Sequence, residues 1–259
     1  MGIFGFQLGS LPVRYLGVPL ISTKLSSSDC RILLEKIVAR IKNWIAKHLS
    51  YGGRLQLIKS VLFSLQIYWM GLFILPKKII NKVDQLLRSF LWSGPELKFK
   101  GAKVSWDSIT CLKSEGGLGI KEMDVWNKAC MARLIWNICQ VSSSSLWVDW
   151  VKTHLIRGHS FWDIPIPRCC SWTWRKVLQL RGEVRPLIRH SIGVGLNTWL
   201  WFDSWLPFGP IIPHFEERVI YDSSLSRHSN HYKWPMDVTR IKLPGFIYFK
   251  ASNTKHYGP

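Results

Sequence analysis

The sequence predicts a mainly α-helical protein, with an N-terminal strand and a small Trp-rich β-hairpin near residues 188-206. Three observations carry this. Apolar residues recur at helical spacing in successive stretches from residue 31 onward. Gly and Pro fall mostly between those stretches. Extended, strand-like character is confined to the start of the chain and to the Trp-rich run after residue 191. At 259 residues and 47% apolar, the chain can bury a core and does not have a disordered composition.

"LPVRYLGVPL" (11–20) wraps Pro12, Gly17 and Pro19 around an apolar core from Val13 to Val18. Pro19 pushes Val18 into extended backbone, and Gly17 permits a bulge or a close approach. Such a strand needs a partner, and only Met1 to Ser10 precede it, so the expectation is a chain that begins part-way through a longer protein. "SSSDCRILLEKIVARIKNWIAKHLS" predicts a basic amphipathic helix. Ser26 and Asp29 have capping-box spacing, and Leu34, Ile37, Val38, Ile41, Trp44 and Ile45 form its apolar face. "YGGR" is expected to break it, with Gly52 and Gly53 as C-terminal residues.

In "LQLIKSVLFSLQIYWMGLFILP" no residue between Lys59 and Lys77 is charged, which approaches the length of a membrane span. Ser60, Ser64 and Gln66 interrupt the run and Pro76 ends it, so a buried core helix is favoured. "KKIINKVDQLLRSFLW" is a further helix, with Ile79, Val83, Leu86, Leu87 and Phe90 in its stripe. A lysine-bearing loop, "SGPELKFKGAK", follows. "VSWDSITCLKSEGGLGIKEM" predicts a short helix and a turn at Gly116, Gly117 and Gly119. "DVWNKACMARLIWNICQV" and "LWVDWVKTHLI" are helical, separated by the serine run 142–145. Pro165 and Pro167 mark a boundary, and "SWTWRKVLQLRGEVRPLIRHS" resumes a helix. "IGVGLNTWLWFDSWLP" predicts the hairpin, turning around Gly195 and Asn197. From Pro207 periodicity dissolves, and a poorly ordered tail is expected. The resulting segmentation is 1–20, 21–141, 142–206 and 207–259.

Charge gives the first indication of function. Thirty-five Lys+Arg against sixteen Asp+Glu leave a formal +19, which points to a polyanionic partner, nucleic acid or an anionic membrane surface. Fifteen tryptophans are expected mainly as core anchors, with some as stacking platforms for bases. The six cysteines show no Cys-x-x-Cys pair and no secretory signal precedes them. They are expected to be structural thiols of an intracellular protein, nuclear or cytoplasmic.

No active site is visible. The close carboxylate pairs, Glu122 with Asp124 and Glu216 with Glu217, suit a solvated surface better than a two-metal site. His228 and His231 lie in the polar tail, without tightly spaced ligand pairs for zinc. "EGGLGIK" lacks the spacing of a phosphate-binding loop, and no nucleophile elbow occurs. We therefore expect no catalytic residue, no metal and no cofactor.

"LPVRYLGVPL", "RIKNWIAKHLSYGGRLQLIKSVLFSLQIYWMGLFILP", "FLWSG", "KVSWDSITCLKSEGGLGIKEMDVWNKA" and "GVGLNTWLWFDSWLPFGP", in this order, closely resemble plant non-LTR (LINE-type) retrotransposon reverse transcriptases. The resemblance runs from about Gly5 to Pro210. It implies that the first strand follows a catalytic palm, and that the helices form a thumb-like bundle and connector upstream of a zinc-binding module. The aromatic-Ala-Asp-Asp signature of the palm is absent from this sequence, as is the Cys/His module, and Val194 departs from the family's hairpin pattern. What the resemblance implies is a non-catalytic thumb/connector fragment that holds the template–primer backbone (RNA, DNA or hybrid), with a separate palm domain as a further partner and no membrane. The cations it implicates are Arg31, Lys36, Arg40, Lys42, Lys47, Arg54 and Lys59, and a second cluster of Lys77, Lys78, Lys82, Lys98, Lys100 and Lys103. Two alternatives remain: a membrane-associated protein anchored by residues 60–75, and a degenerate gene fragment with no function.

Overall fold

A computed structural model describes residues 13–21, 23–43, 49–97, 101, 104–140, 145–192, 197–215, 217–223 and 225–229. The fold is mainly helical, with one two-stranded antiparallel sheet near the N-terminus. The chain divides into two units, Met1–Leu134 with Pro167–Leu180, and Ile135–Ile166 with Arg181–Pro259.

The first unit opens on a hairpin of β1 (Val13–Tyr15) and β2 (Val18–Leu20), paired Val13↔Leu20, Arg14↔Pro19 and Tyr15↔Val18. The single strand read from Val13 to Val18 is therefore folded back on itself, and its partner is its own second half. Leu16 and Gly17 both have positive φ (51° and 84°), as a two-residue type I′ turn requires. Tyr15↔Val18 closes the turn, so Arg14↔Pro19 is a non-hydrogen-bonded pair. The missing N–H of Pro19 thus costs the ladder nothing. Val18 and Pro19 are buried, whereas Val13, Tyr15, Leu16 and Leu20 are exposed.

Helix α1 (Arg31–Asn43) buries Leu33, Ile37 and Ile41, a stripe at i, i+4 and i+8; Leu33 takes the place expected of Leu34, and Leu34 and Val38 are half-buried. The expected capping box forms ahead of it: Asp29 N–H donates to Ser26 Oγ (3.2 Å), and Ser26 N–H donates to Asp29 Oδ2 (2.8 Å). Trp44 and Ile45, expected on the same stripe, lie outside the described residues.

"YGGR" does not end a helix. It starts one. Ser50 accepts from Gly53 N–H (3.2 Å) as the N-cap of α2 (Tyr51–Leu57), which places Gly52 and Gly53 in the first turn. α2 passes through a wider π turn, Ile58–Leu62, into α3 (Phe63–Met70). Ile58, Leu62, Phe63, Trp69 and Met70 are buried, while Ile67 and Tyr68 are exposed. Ser60 and Ser64 bond back to Gln56 O and Val61 O within this helical stretch. Among the described residues, no helix is long and apolar enough to cross a membrane.

After Pro76, α4 (Lys77–Ser93) buries Ile79, Ile80, Val83, Leu87, Phe90 and Leu91. α1 packs on α3 and α4, and these stripes form one hydrophobic cluster. α5 (Trp106–Thr110) is capped by Ser105 and adds Trp106 and Ile109 to that cluster. The glycine-rich segment then turns back, with Leu118 N–H on Ile109 O (2.9 Å) and Gly119 N–H on Cys111 O (3.0 Å). α6 (Met123–Cys139) follows. Its Asn127, 2% exposed, donates to Met70 O (3.0 Å) and Phe73 O (2.8 Å) and accepts from Leu75 N–H (2.7 Å). One amide thus holds the connection between α3 and α4.

Asp84 gives this unit a pH dependence. Burial raises its carboxyl from 3.8 to about 6, against the opposing effects of a hydrogen bond from Trp106 and the Arg88 charge. A carboxyl raised in the folded state stabilises nothing once ionised. Below about pH 3 both states hold the proton; as pH rises from about 3 to 6 the unfolded chain loses it first and stability falls. Asp84→Asn keeps an acceptor for Trp106 without the charge. We expect it to be more stable than the parent by about 2 kcal/mol at pH 7.5 and by no more than about 0.5 kcal/mol at pH 4, as read by urea unfolding. The same difference at both pH values would rule this origin out.

In the second unit, α7 (Leu146–Trp150) continues as a π turn, Val151–Ile156, and ends on Arg157 and Gly158 at positive φ. α8 (Trp172–Val184) begins in the first unit and ends in the second. The Trp-rich run differs from the expected hairpin. Of the turn expected around Gly195 and Asn197, Gly195 lies outside the described residues, and from Asn197 the chain winds as turns with one isolated bridge, Leu206↔Gly209. The indoles explain this winding. Trp201, fully buried, donates to Ser226 O (3.0 Å), and Trp205 donates to Leu200 O (2.8 Å). Asp203 closes the turn by accepting from Trp199 N–H (2.8 Å). A ring that must bury its area and satisfy its N–H pulls the backbone around it. The segment after Pro207, expected as poorly ordered, carries α9 (Ile212–Phe215) and α10 (Arg218–Ser223) and buries Ile211 and Ile220. The rest of that tail, from residue 230, lies outside the described residues.

Candidate nucleic-acid interface

The cations expected on the first helices separate into three groups. Lys36, Arg40 and Lys42 on α1, and Lys78 and Lys82 on α4, are exposed and have no carboxylate partner among the described residues. Lys36 and Arg40 stand four residues apart, as do Lys78 and Lys82, so each pair shares one helical stripe. Both stripes stand on helices that pack together.

Arg31 and Lys77 are exposed but paired. Arg31 lies 3.4 Å from Glu35 one turn on, and an exposed pair of this kind contributes little stability. Lys77 Nζ donates to Asp124 Oδ2 (2.8 Å), and that hydrogen bond raises the lysine pKa.

Arg54 and Lys59 turn inward. The Arg54 guanidinium donates to Phe90 O (3.4 Å) near the end of α4. Lys59 donates to Leu118 O in the glycine turn; burial and the neighbouring Lys113 charge both lower its pKa. These two hold tertiary structure, so they are removed from the phosphate-facing set. Lys47, Lys98, Lys100 and Lys103 lie outside the described residues.

The fold adds a pair that sequence reasoning missed. Lys24 and Lys176 both approach the Trp172 ring, at 5.3 and 4.9 Å from its centroid, within the first unit. Each ammonium group is held near the ring by cation–π attraction, and Lys176 Nζ also donates to Gln179 Oε1 (2.8 Å). No local signal marks them, because their spacing in sequence has no period.

The second unit contains a cleft of about 360 Å³ whose lining includes Cys139, His159, His190, Trp199 and Asp203. Cysteine, histidine and aspartate are residue types that catalytic sites use, and in this cleft they are engaged as follows. Burial and nearby Asp203 push the Cys139 thiol up to about 12, which leaves no thiolate at neutral pH. His190 Nε2 stands 3.8 Å from Asp203 Oδ1, beyond a hydrogen bond, and Asp203 already holds the Trp199 turn. Beside it, Arg227 makes a two-point contact with Asp163 (2.7 and 3.0 Å) and a bond to Glu217 (2.8 Å), which lowers the Asp163 pKa. No group of three or more His, Cys, Asp or Glu side chains suited to a metal ion occurs among the described residues.

Over 200 residues the chain is 34% identical to a "putative ribonuclease H protein" of Arabidopsis thaliana, a match that takes in 75% of this chain and 32% of that protein. It is 27% identical over 149 residues to an uncharacterized mitochondrial protein of the same plant, covering 55% of this chain and 93% of that one. The chain therefore spans about a third of the length of the first relative and nearly all of the second. No family model and no solved structure matches it.

Proposed function

We propose that this chain is a non-catalytic segment of a retrotransposon-type reverse transcriptase, corresponding to the thumb and connector, and that it holds nucleic acid through backbone phosphates. The observation that carries the proposal is the pair of exposed cation stripes, Lys36 with Arg40 on α1 and Lys78 with Lys82 on α4, on helices that pack together. Unpaired cations in rows track a phosphate backbone, while contacts of this kind carry little base information. The similarity to a longer plant protein named for ribonuclease H supports a setting in nucleic-acid metabolism. Lys42 and the Lys24–Lys176 pair extend the basic surface. The exposed Val13, Tyr15 and Leu20 of the hairpin support a further domain, the palm, covering that edge.

The test is binding of the purified chain to a short RNA–DNA hybrid by anisotropy across a salt series. We expect affinity to fall steeply with salt. In the variant with Lys36, Arg40, Lys78 and Lys82 all replaced by Ala, the log–log slope should shrink by about one for each cation removed. A folded chain that does not bind at low salt, or a variant with an unchanged slope, would sink the proposal.

A further inference from the structure

Tryptophan side chains in this protein are largely turned inward: Trp69, Trp106, Trp174 and Trp201 are all buried. Among the described residues, three behave differently. Trp136, Trp147 and Trp150 are 49%, 38% and 50% exposed, and all three fall in the second unit within residues 136–150. Trp147 and Trp150 stand one turn apart on α7. Two exposed indoles one turn apart on α7 mark a surface that meets something flat and apolar.

The local geometry identifies which ring face is offered. The His154 imidazole stacks on the Trp150 indole, with centroids 5.2 Å apart and planes 18° from parallel. His154 is fixed there by a hydrogen bond between Nδ1 and Trp150 O (3.1 Å). One indole face is therefore covered by a parallel ring, and half of the side chain is still bare. At the end of the same helical stretch Arg157 is exposed, anchored by its Nε donating to His154 O (2.8 Å).

We infer that α7 and the turn after it form a stacking platform for the unpaired bases of single-stranded nucleic acid, with Arg157 meeting the adjacent phosphate. A base placed on Trp150 extends the existing imidazole–indole stack by one ring. Stacking accepts any base, since each has a π face. The formal charge of +19 favours a polyanion over a basic protein as occupant. The inference rests on the nucleic-acid reading above but adds a chemically separate contact, to bases and not to phosphates, made by the second unit.

The experiment compares three ligands on the full chain: oligothymidylate of about 12 nucleotides, an abasic strand with the same number of phosphates, and the RNA–DNA hybrid. The thymidylate should bind about tenfold tighter than the abasic strand. The double variant Trp147→Ala with Trp150→Ala should lose about that tenfold on thymidylate and stay within about twofold on the hybrid, and Trp150→Phe should keep part of the gain. Equal affinity for thymidylate and the abasic strand overturns the inference while leaving the backbone reading intact. Trp-dependent thymidylate binding without hybrid binding overturns the backbone reading and leaves this one. Vesicles of anionic phospholipid serve as the rival probe. Trp-dependent vesicle binding, with no thymidylate preference over the abasic strand, assigns the face to a membrane and overturns the inference.

Discussion

Replacing Asn127 by Ala is expected to destabilise the first unit by about 3–5 kcal/mol, as much as truncating a large core side chain. The side chain is 2% exposed and uses both ends of its amide. Its Nδ2 satisfies Met70 O, at the C-terminal end of α3, and Phe73 O, in the connection after it, and its Oδ1 satisfies Leu75 N–H. Alanine strands these backbone groups in a region where Met70 and Leu75 are themselves buried, so water cannot replace the lost partner freely. Asn127→Asp is expected to fare no better, because the oxygen replacing Nδ2 would face two carbonyls. Urea unfolding followed by far-ultraviolet circular dichroism measures both. An alanine variant within about 1 kcal/mol of the parent would mean that the α3–α4 connection is held by packing alone.

Gly117→Ala is expected to cost about 3 kcal/mol, more than its small volume suggests. A Cβ built there would stand 2.2 Å from Cys111 O and 2.5 Å from Cys111 C, both backbone atoms within the turn. Relief requires moving the Cys111–Gly119 turn, which carries Leu118 O, the acceptor for Lys59. Two neighbours separate steric from conformational cost. Gly116 has open space but φ of 84°, so Ala there should cost about 1 kcal/mol. Gly52 has open space and no positive φ, and Ala should stabilise the first turn of α2 by a few tenths of a kcal/mol, up to about 1. Melting temperatures of the three variants should therefore rank Gly52→Ala, Gly116→Ala, Gly117→Ala from highest to lowest. A Gly117→Ala protein that melts with the Gly116 variant would show that the turn opens easily.

The candidate interface was legible in part. Lys36, Arg40, Lys78 and Lys82 follow from the sequence because a residue four positions from a like residue, off an apolar stripe, lands on the solvent side of a helix. Arg54 and Lys59 were misplaced by the same logic. A long flexible side chain reaches a carbonyl from almost any helical position, and those carbonyls, of Phe90 and Leu118, are far away in sequence. The Lys24–Lys176 pair at Trp172 and the exposed ring face of Trp150 likewise depend on contacts or exposures that no spacing records.

Helical class, the Ile37–Ile41 part of the α1 stripe, most of the α4 stripe, the Ser26–Asp29 box and the turn at Gly116, Gly117 and Gly119 are readable from local sequence. Each is decided within a few residues, by side-chain periodicity or by local hydrogen bonds. Tertiary structure decided the rest. Leu16 adopts positive φ beside Gly17, folding one apparent strand into two, while Val18 and Pro19 are buried and the Tyr68 hydroxyl donates to Leu16 O (3.3 Å). The glycines after Ser50 open a helix and not a break, because Ser50 caps it and Arg54 reaches Phe90 O. The Trp-rich run winds around Trp201 because its indole finds Ser226 O, 25 residues further on. Propensity is a weak term per residue, and burying one large ring with its N–H satisfied outweighs it.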